Sequence, residues 1–168
     1  MNIIMSFEKD LEEARDLADI FEVVKSAVLR KTGQSRGGLM LGLADLGNHP
    51  HSFLGGFFST GSNVIVMNRN PLDRVAETKP DLYRAYAFHV LLHEYIHSLG
   101  CLDEEQARAR ALKISKEALG DDHPATLLAA DVNGFMKYLV YPDYAWKPDD
   151  ERMELVKGFD RSSVSYIA

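Results

Sequence analysis

The stretch His93-Glu94-Tyr95-Ile96-His97-Ser98-Leu99-Gly100-Cys101-Leu102-Asp103 governs the reading of the whole chain. Apolar residues surround its two histidines: Val90, Leu91, Leu92, Ile96 and Leu99. They predict a helix from Asp81 to Leu99, opened by Pro80 and closed at Gly100, where a left-handed residue turns the chain back. Residues four apart on a helix lie one turn apart on one face. His93 and His97 therefore aim two imidazoles at one point, as a Zn²⁺ ion requires. Glu94 adjoins the first histidine and faces the same region without being needed as a ligand. A carboxylate so placed is a general base for a water that zinc acidifies towards a pKa of ~7. This is the HExxH pattern, and metal binding alone gives no reason for Glu94. The spacing predicts a catalytic metal site.

Working outward, the segment before this helix is β-like. Leu39–Leu43, Phe53–Phe58 and Val64–Met67 are three candidate strands, parted by Pro50 and by the turn residues Thr60-Gly61-Ser62-Asn63. Three strands in so short a stretch predict a small, largely antiparallel sheet. Earlier still, Phe7, Leu11, Ala14, Leu17, Phe21, Val24 and Val28 recur at three- and four-residue intervals. They predict one amphipathic backing helix from about Phe7 to Leu29, with Ser6 as N-cap and Gly33 past its end. Downstream, Asp103 to Leu119 reads as a helix closed by Gly120. Asp122-His123-Pro124 opens another that runs to about Tyr138. From Tyr141 the chain becomes aromatic and proline-rich, an irregular C-terminal strap over 141–168, with a short helix expected over Glu151–Lys157. The expectation is a single domain over 1–168.

The chain has 168 residues, 46% of them hydrophobic and 26% charged, enough for a core without disulfides. Its net charge is −6, and no run of Lys or Arg offers the basic stripe that nucleic acid or anionic membrane requires. Cys101 is the one cysteine, so an intramolecular disulfide and a cysteine metal cluster are both excluded. No apolar stretch approaches the ~20 residues of a membrane span, and the N-terminus lacks the pattern of a signal peptide. The reading is of a soluble, cytoplasmic protein with no nucleic-acid or membrane partner.

His93 to Asp103 reads HExxHxxGxxD. It resembles the long zinc-binding consensus of the metzincin metallopeptidases, whose third ligand is usually a histidine and in the snapalysin-like family an aspartate. The order of helix, small sheet and active-site helix is also similar to zincins in general, including the very short archaeal zincins with a glutamate ligand on a following helix. The resemblance implies an α+β zincin-like fold with a helical C-terminal half. It implies a zinc-dependent metallopeptidase acting on a peptide or protein substrate. His93, His97 and Asp103 would hold Zn²⁺ and Glu94 would act as general base. The third ligand has rivals. Asp103 with Gln106 also forms a helix capping box. Glu104 or Glu105 at the start of the next helix would make the site a glutamate zincin, or would simply complement the helix dipole. His123 is a more distant candidate.

Other residues have a plainer and a sharper reading. His89 shares the stripe of His93, but eight residues span ~12 Å of helix, so His89 and His97 cannot both reach one ion. A supporting or core role follows. Gly55-Gly56-Phe57-Phe58 is either a close-packed strand or the edge on which an extended substrate pairs. His123, Tyr138, Tyr141 and Tyr144 can pack, or can donate a hydrogen bond to an oxyanion. Cys101 reads as a small buried hydrophobe. The strap, with Trp146, reads as packing or as a cover that keeps the cleft latent. The alternative to an enzyme is a non-catalytic zincin fold serving as a metal-binding or regulatory module.

Overall fold

A computed structural model of the chain describes residues 3–48, 55–136 and 152–164. The fold is α+β with helices in the majority. Helices α1 (Ile3–Glu13) and α2 (Leu17–Thr32) lead into strands β1 (Met40–Ala44), β2 (Gly56–Phe58) and β3 (Val64–Asn68). Helix α3 (Arg69–Thr78) and one 3-10 turn (Pro80–Leu82) precede α4 (Tyr83–Ser98) and α5 (Glu104–Leu119). Then come α6 (Pro124–Ala130), α7 (Val132–Met136), strand β4 (Glu154–Leu155) and α8 (Arg161–Val164).

The single backing helix expected over Phe7–Leu29 is two helices. Asp16 takes an extended conformation, and its carboxylate accepts a hydrogen bond from the backbone N–H of Asp19 at 2.8 Å. That is an N-cap, and it starts a new helix where apolar spacing alone showed none. The apolar stripe survives the break, because Leu11, Ala14 and Leu17 are all buried. Ser6 lies inside α1 rather than capping it. Gly33 does close α2, at φ 74°, with its N–H on the Leu29 carbonyl.

The sheet is mixed, in the order β2-β3-β1-β4. β2 and β3 form the antiparallel hairpin expected from the Thr60–Asn63 turn. β1, however, pairs with β3 in parallel, Met40 opposite Val64 and Ala44 opposite Asn68. The expectation of a largely antiparallel sheet fails there, because alternation of side chains fixes faces and not pairing partners. The helix expected over Glu151–Lys157 is instead the two-residue strand β4, antiparallel to β1. Helix α3 was not foreseen. It begins at Asn68, whose side chain caps the Asn70 N–H, and it tolerates Pro71 because its first turn needs no such donor.

Helix α4 sits at the centre. Residues around its whole circumference are buried, including Tyr86, Phe88, Leu91, Leu92 and Tyr95, so it is a core helix and not a surface one. It packs against α2, α5 and α6 and against the outer strand β2. Arg36 fixes its C-terminal end to the sheet. Its guanidinium donates to the carbonyls of Ser98 (2.7 Å) and Ser62 (3.0 Å) and lies over the Phe58 ring. Its backbone N–H meets the Tyr95 hydroxyl at 2.9 Å.

The helix expected from Asp122 to Tyr138 breaks at Asp131 into α6 and α7. Tyr138, Tyr141, Tyr144 and Trp146 lie outside the described residues. The described end of the strap packs elsewhere than the cleft. Phe159 stacks on Phe21 with centroids 4.1 Å apart. Asp160, fully enclosed, accepts the Leu39 N–H at 2.8 Å and pairs with Lys25. No helix among the described residues is long and apolar enough to cross a membrane.

Candidate metal centre

Two features of the chain assemble the site. The first is the turn after α4. Gly100 adopts φ 106°, which an L side chain would resist. The chain folds back there, and the Cys101 carbonyl comes within 2.7 Å of His97 Nδ1. A carbonyl only accepts, so Nδ1 must carry the proton, and in the neutral ring Nε2 is left with a free lone pair. The second feature is the cap of α5. Asp103 is the N-cap and accepts the Gln106 N–H at 2.8 Å. Glu104 is thereby the first helical residue, and its carboxylate swings over the end of α4.

The result is a compact donor set. His97 Nε2 lies 3.2 Å from His93 Nε2. Glu104 places Oε1 2.8 Å from His93 Nε2 and Oε2 3.0 Å from His97 Nε2. Among the described residues, His93, His97 and Glu104 are the group of ligand atoms gathered within 4.8 Å of one another. Lone pairs that face each other at these distances repel unless a cation lies between them, either a proton or a metal ion. Two imidazoles and one carboxylate are a donor set that zinc accepts. Of the acids weighed as a third ligand, Glu104 is the one whose carboxylate meets the histidines. Asp103 is spent on the cap, Glu105 does not join the gathered ligand atoms, and His123 is occupied at α6, its Nδ1 accepting the Ala125 N–H at 3.1 Å.

Electrostatics divides the acids of the site. Burial would raise the Glu104 carboxyl, but His93 and His97 outweigh it and hold the group below its ordinary value. Glu94 is 6% exposed, and burial lifts its pKa to about 7, with His97 opposing and Glu104 assisting the rise. Burial likewise lowers His93, against the pull of Glu104. The site thus pairs an ionised carboxylate facing the imidazoles with a second, buried carboxyl poised near neutrality.

The donor set opens into a cleft of about 700 Å³. Its lining includes β2, His89, Val90 and Glu94 of α4, Arg108 of α5 and Asn133 of α7. Gly56 lets β2 lie close against both β3 and α4. A Cβ at that position would lie 2.5 Å from the Val66 carbonyl oxygen and 3.2 Å from Val90 Cγ1. The sequence singled out residues 55–58 as a close-packed strand or a substrate edge. Among the described residues, 56–58 form the outer strand of the sheet, and 55–58 line the cleft. Arg108 was not anticipated. It lies one turn after Glu104, with Nε 3.6 Å from Glu104 Oε1, and that i,i+4 spacing was the available signal. Cys101 is buried, as expected.

No family model, curated protein or solved structure matches this chain.

Proposed function

We propose that this protein is a zinc-dependent metallopeptidase of the zincin type, with a glutamate as third ligand. The observation that carries the reading is the convergence of His93 Nε2, His97 Nε2 and the Glu104 carboxylate, with the His97 tautomer held by the Cys101 carbonyl. Such an outer hydrogen bond orients a ligand imidazole and raises its basicity. A bound zinc ion would supply Lewis acidity toward a carbonyl and toward water.

The chain's own residues do the rest. Glu94 lies in the cleft beside His93 and holds or releases a proton near neutral pH, as the base that activates water and then returns the proton to a leaving amine. The outer strand β2 runs along the cleft, which suits an extended peptide that adds a strand to a sheet edge. Phe57 and Leu102 leave apolar surface at its walls. Glu104 on the helix after the motif matches the glutamate arrangement, whereas Asp103 at the metzincin spacing does not reach the pair.

The decisive experiment measures metal and activity together. Protein purified without chelator is expected to carry about one zinc per chain, and His97→Ala to carry none. Glu94→Gln is expected to keep zinc and to lose hydrolysis of a randomised peptide mixture by at least ~100-fold. Zinc retained with no hydrolysis in the wild type would favour the alternative, a non-catalytic metal-binding or regulatory module.

A further inference from the structure

His89 stands one helical turn before His93 and lines the cleft. It is 8% exposed, and its ring centroid lies 6.4 Å from that of His93. Its Nδ1 is enclosed and has no hydrogen-bond partner among the described residues. A second proton, on Nδ1, would be an enclosed donor without an acceptor, so the ring is neutral, with one N–H and one bare nitrogen. Enclosing a bare lone pair costs less than enclosing an orphaned N–H. The proton accordingly resides on Nε2, and the ring offers the cleft a hydrogen-bond donor. Of the residues that line the cleft with it, Gly55, Gly56 and Val90 bring no polar side chain.

A helical turn advances ~5.4 Å, and an extended peptide advances ~3.4 Å per residue. A peptide laid along α4 would therefore place over His89 a residue one or two from the reacting bond. We infer that His89 determines specificity there, donating a hydrogen bond to a neutral acceptor, the side-chain amide oxygen of Asn or Gln. This rests on the peptidase reading. An apolar side chain in that position would strip water from the N–H and replace it with nothing. A carboxylate would share the cleft with the Glu94 carboxyl.

The test uses zinc-loaded protein and peptide mixtures randomised except at the two residues on each side of the cleaved bond, which are Asn or Leu in matched pairs. Wild type is expected to favour Asn in one of these positions by about tenfold in kcat/KM. His89→Phe should erase that preference, and His89→Gln, which keeps an amide donor, should retain part of it. A second readout needs no turnover. Ring ¹H–¹⁵N spectra should show His89 protonated on Nε2, with that signal shifting when an Asn peptide binds to Glu94→Gln. Equal loss on both peptide sets, or a proton on Nδ1, overturns the inference and leaves the peptidase reading in place. Zinc-loaded wild type that neither binds nor cleaves any of the mixtures overturns both. Should His89→Phe fail to fold, the wild-type ring spectra decide the matter.

Discussion

Asp103 and Glu104 are one residue apart and do different work. The carboxylate of Asp103 closes the first turn of α5, and that of Glu104 reaches the imidazoles of α4. Their substitutions should separate cleanly. Asp103→Ala is expected to lower stability by about 1 kcal/mol, the usual worth of an N-cap, and to leave zinc affinity within a few fold. Glu104→Ala is expected to weaken zinc binding by more than about 100-fold, beyond what outer hydrogen-bond partners cost, with little effect on the fold of the zinc-free protein. Competition titration against a chromophoric chelator, beside urea unfolding, reads both. The histidine pair and Glu94 were legible in the sequence because a spacing of four has one geometric meaning on a helix. The choice among Asp103, Glu104 and Glu105 was not. Successive helical residues differ by about 100° in direction, and the position of the cap decides which of them looks back at α4.

At the scale of elements, the caps again decide what periodicity could not. The stripe from Phe7 to Val28 is continuous, yet Asp16 divides it into two helices. β4 has only two residues and exists because β1 offers them an edge, a signal carried by no local pattern. The core helix α4, by contrast, announced itself through its apolar run. Helix α6 yields a pH prediction. Its cap is His123, whose Nδ1 must be unprotonated to accept the Ala125 N–H. Burial lowers its pKa from 6.5, while Glu8 and Glu12 pull the other way. The folded state therefore binds this proton more weakly than the unfolded state does. Stability from this group is full above pH 6.5 and is lost as the pH falls from there through the depressed folded value. His123→Ser keeps a cap but does not titrate. The difference in urea midpoint between wild type and His123→Ser should shift in favour of the variant as the pH drops from 7.5 to 5, and a flat difference would refute the assignment.

At the scale of the molecule, the sheet has two outer strands with opposite fates. β4 covers one side and is held by the C-terminal segment, where Phe159 and Asp160 are buried against α2 and β1. The idea that the strap shields the cleft finds no support in residues 152–164, which belong to that opposite edge. Asp160→Ala would leave Lys25 and the Leu39 N–H without their buried acceptor. It is expected to cost about 3 kcal/mol, a fall in Tm of roughly 10 °C, measured by calorimetry. Ending the chain after residue 151 should destabilise it further and raise no peptidase activity. On the other side, β2 lies against β3 and α4 with no room for a methyl group at residue 56, where a Cβ would strike the Val66 carbonyl of β3 and press on the Val90 side chain of α4. The wall of the cleft is thus seated by a missing atom. Under the proposed reading, a sheet edge that lines the cleft pairs with extended chain alone, so the substrates expected are loops, tails and chains that have already lost their structure.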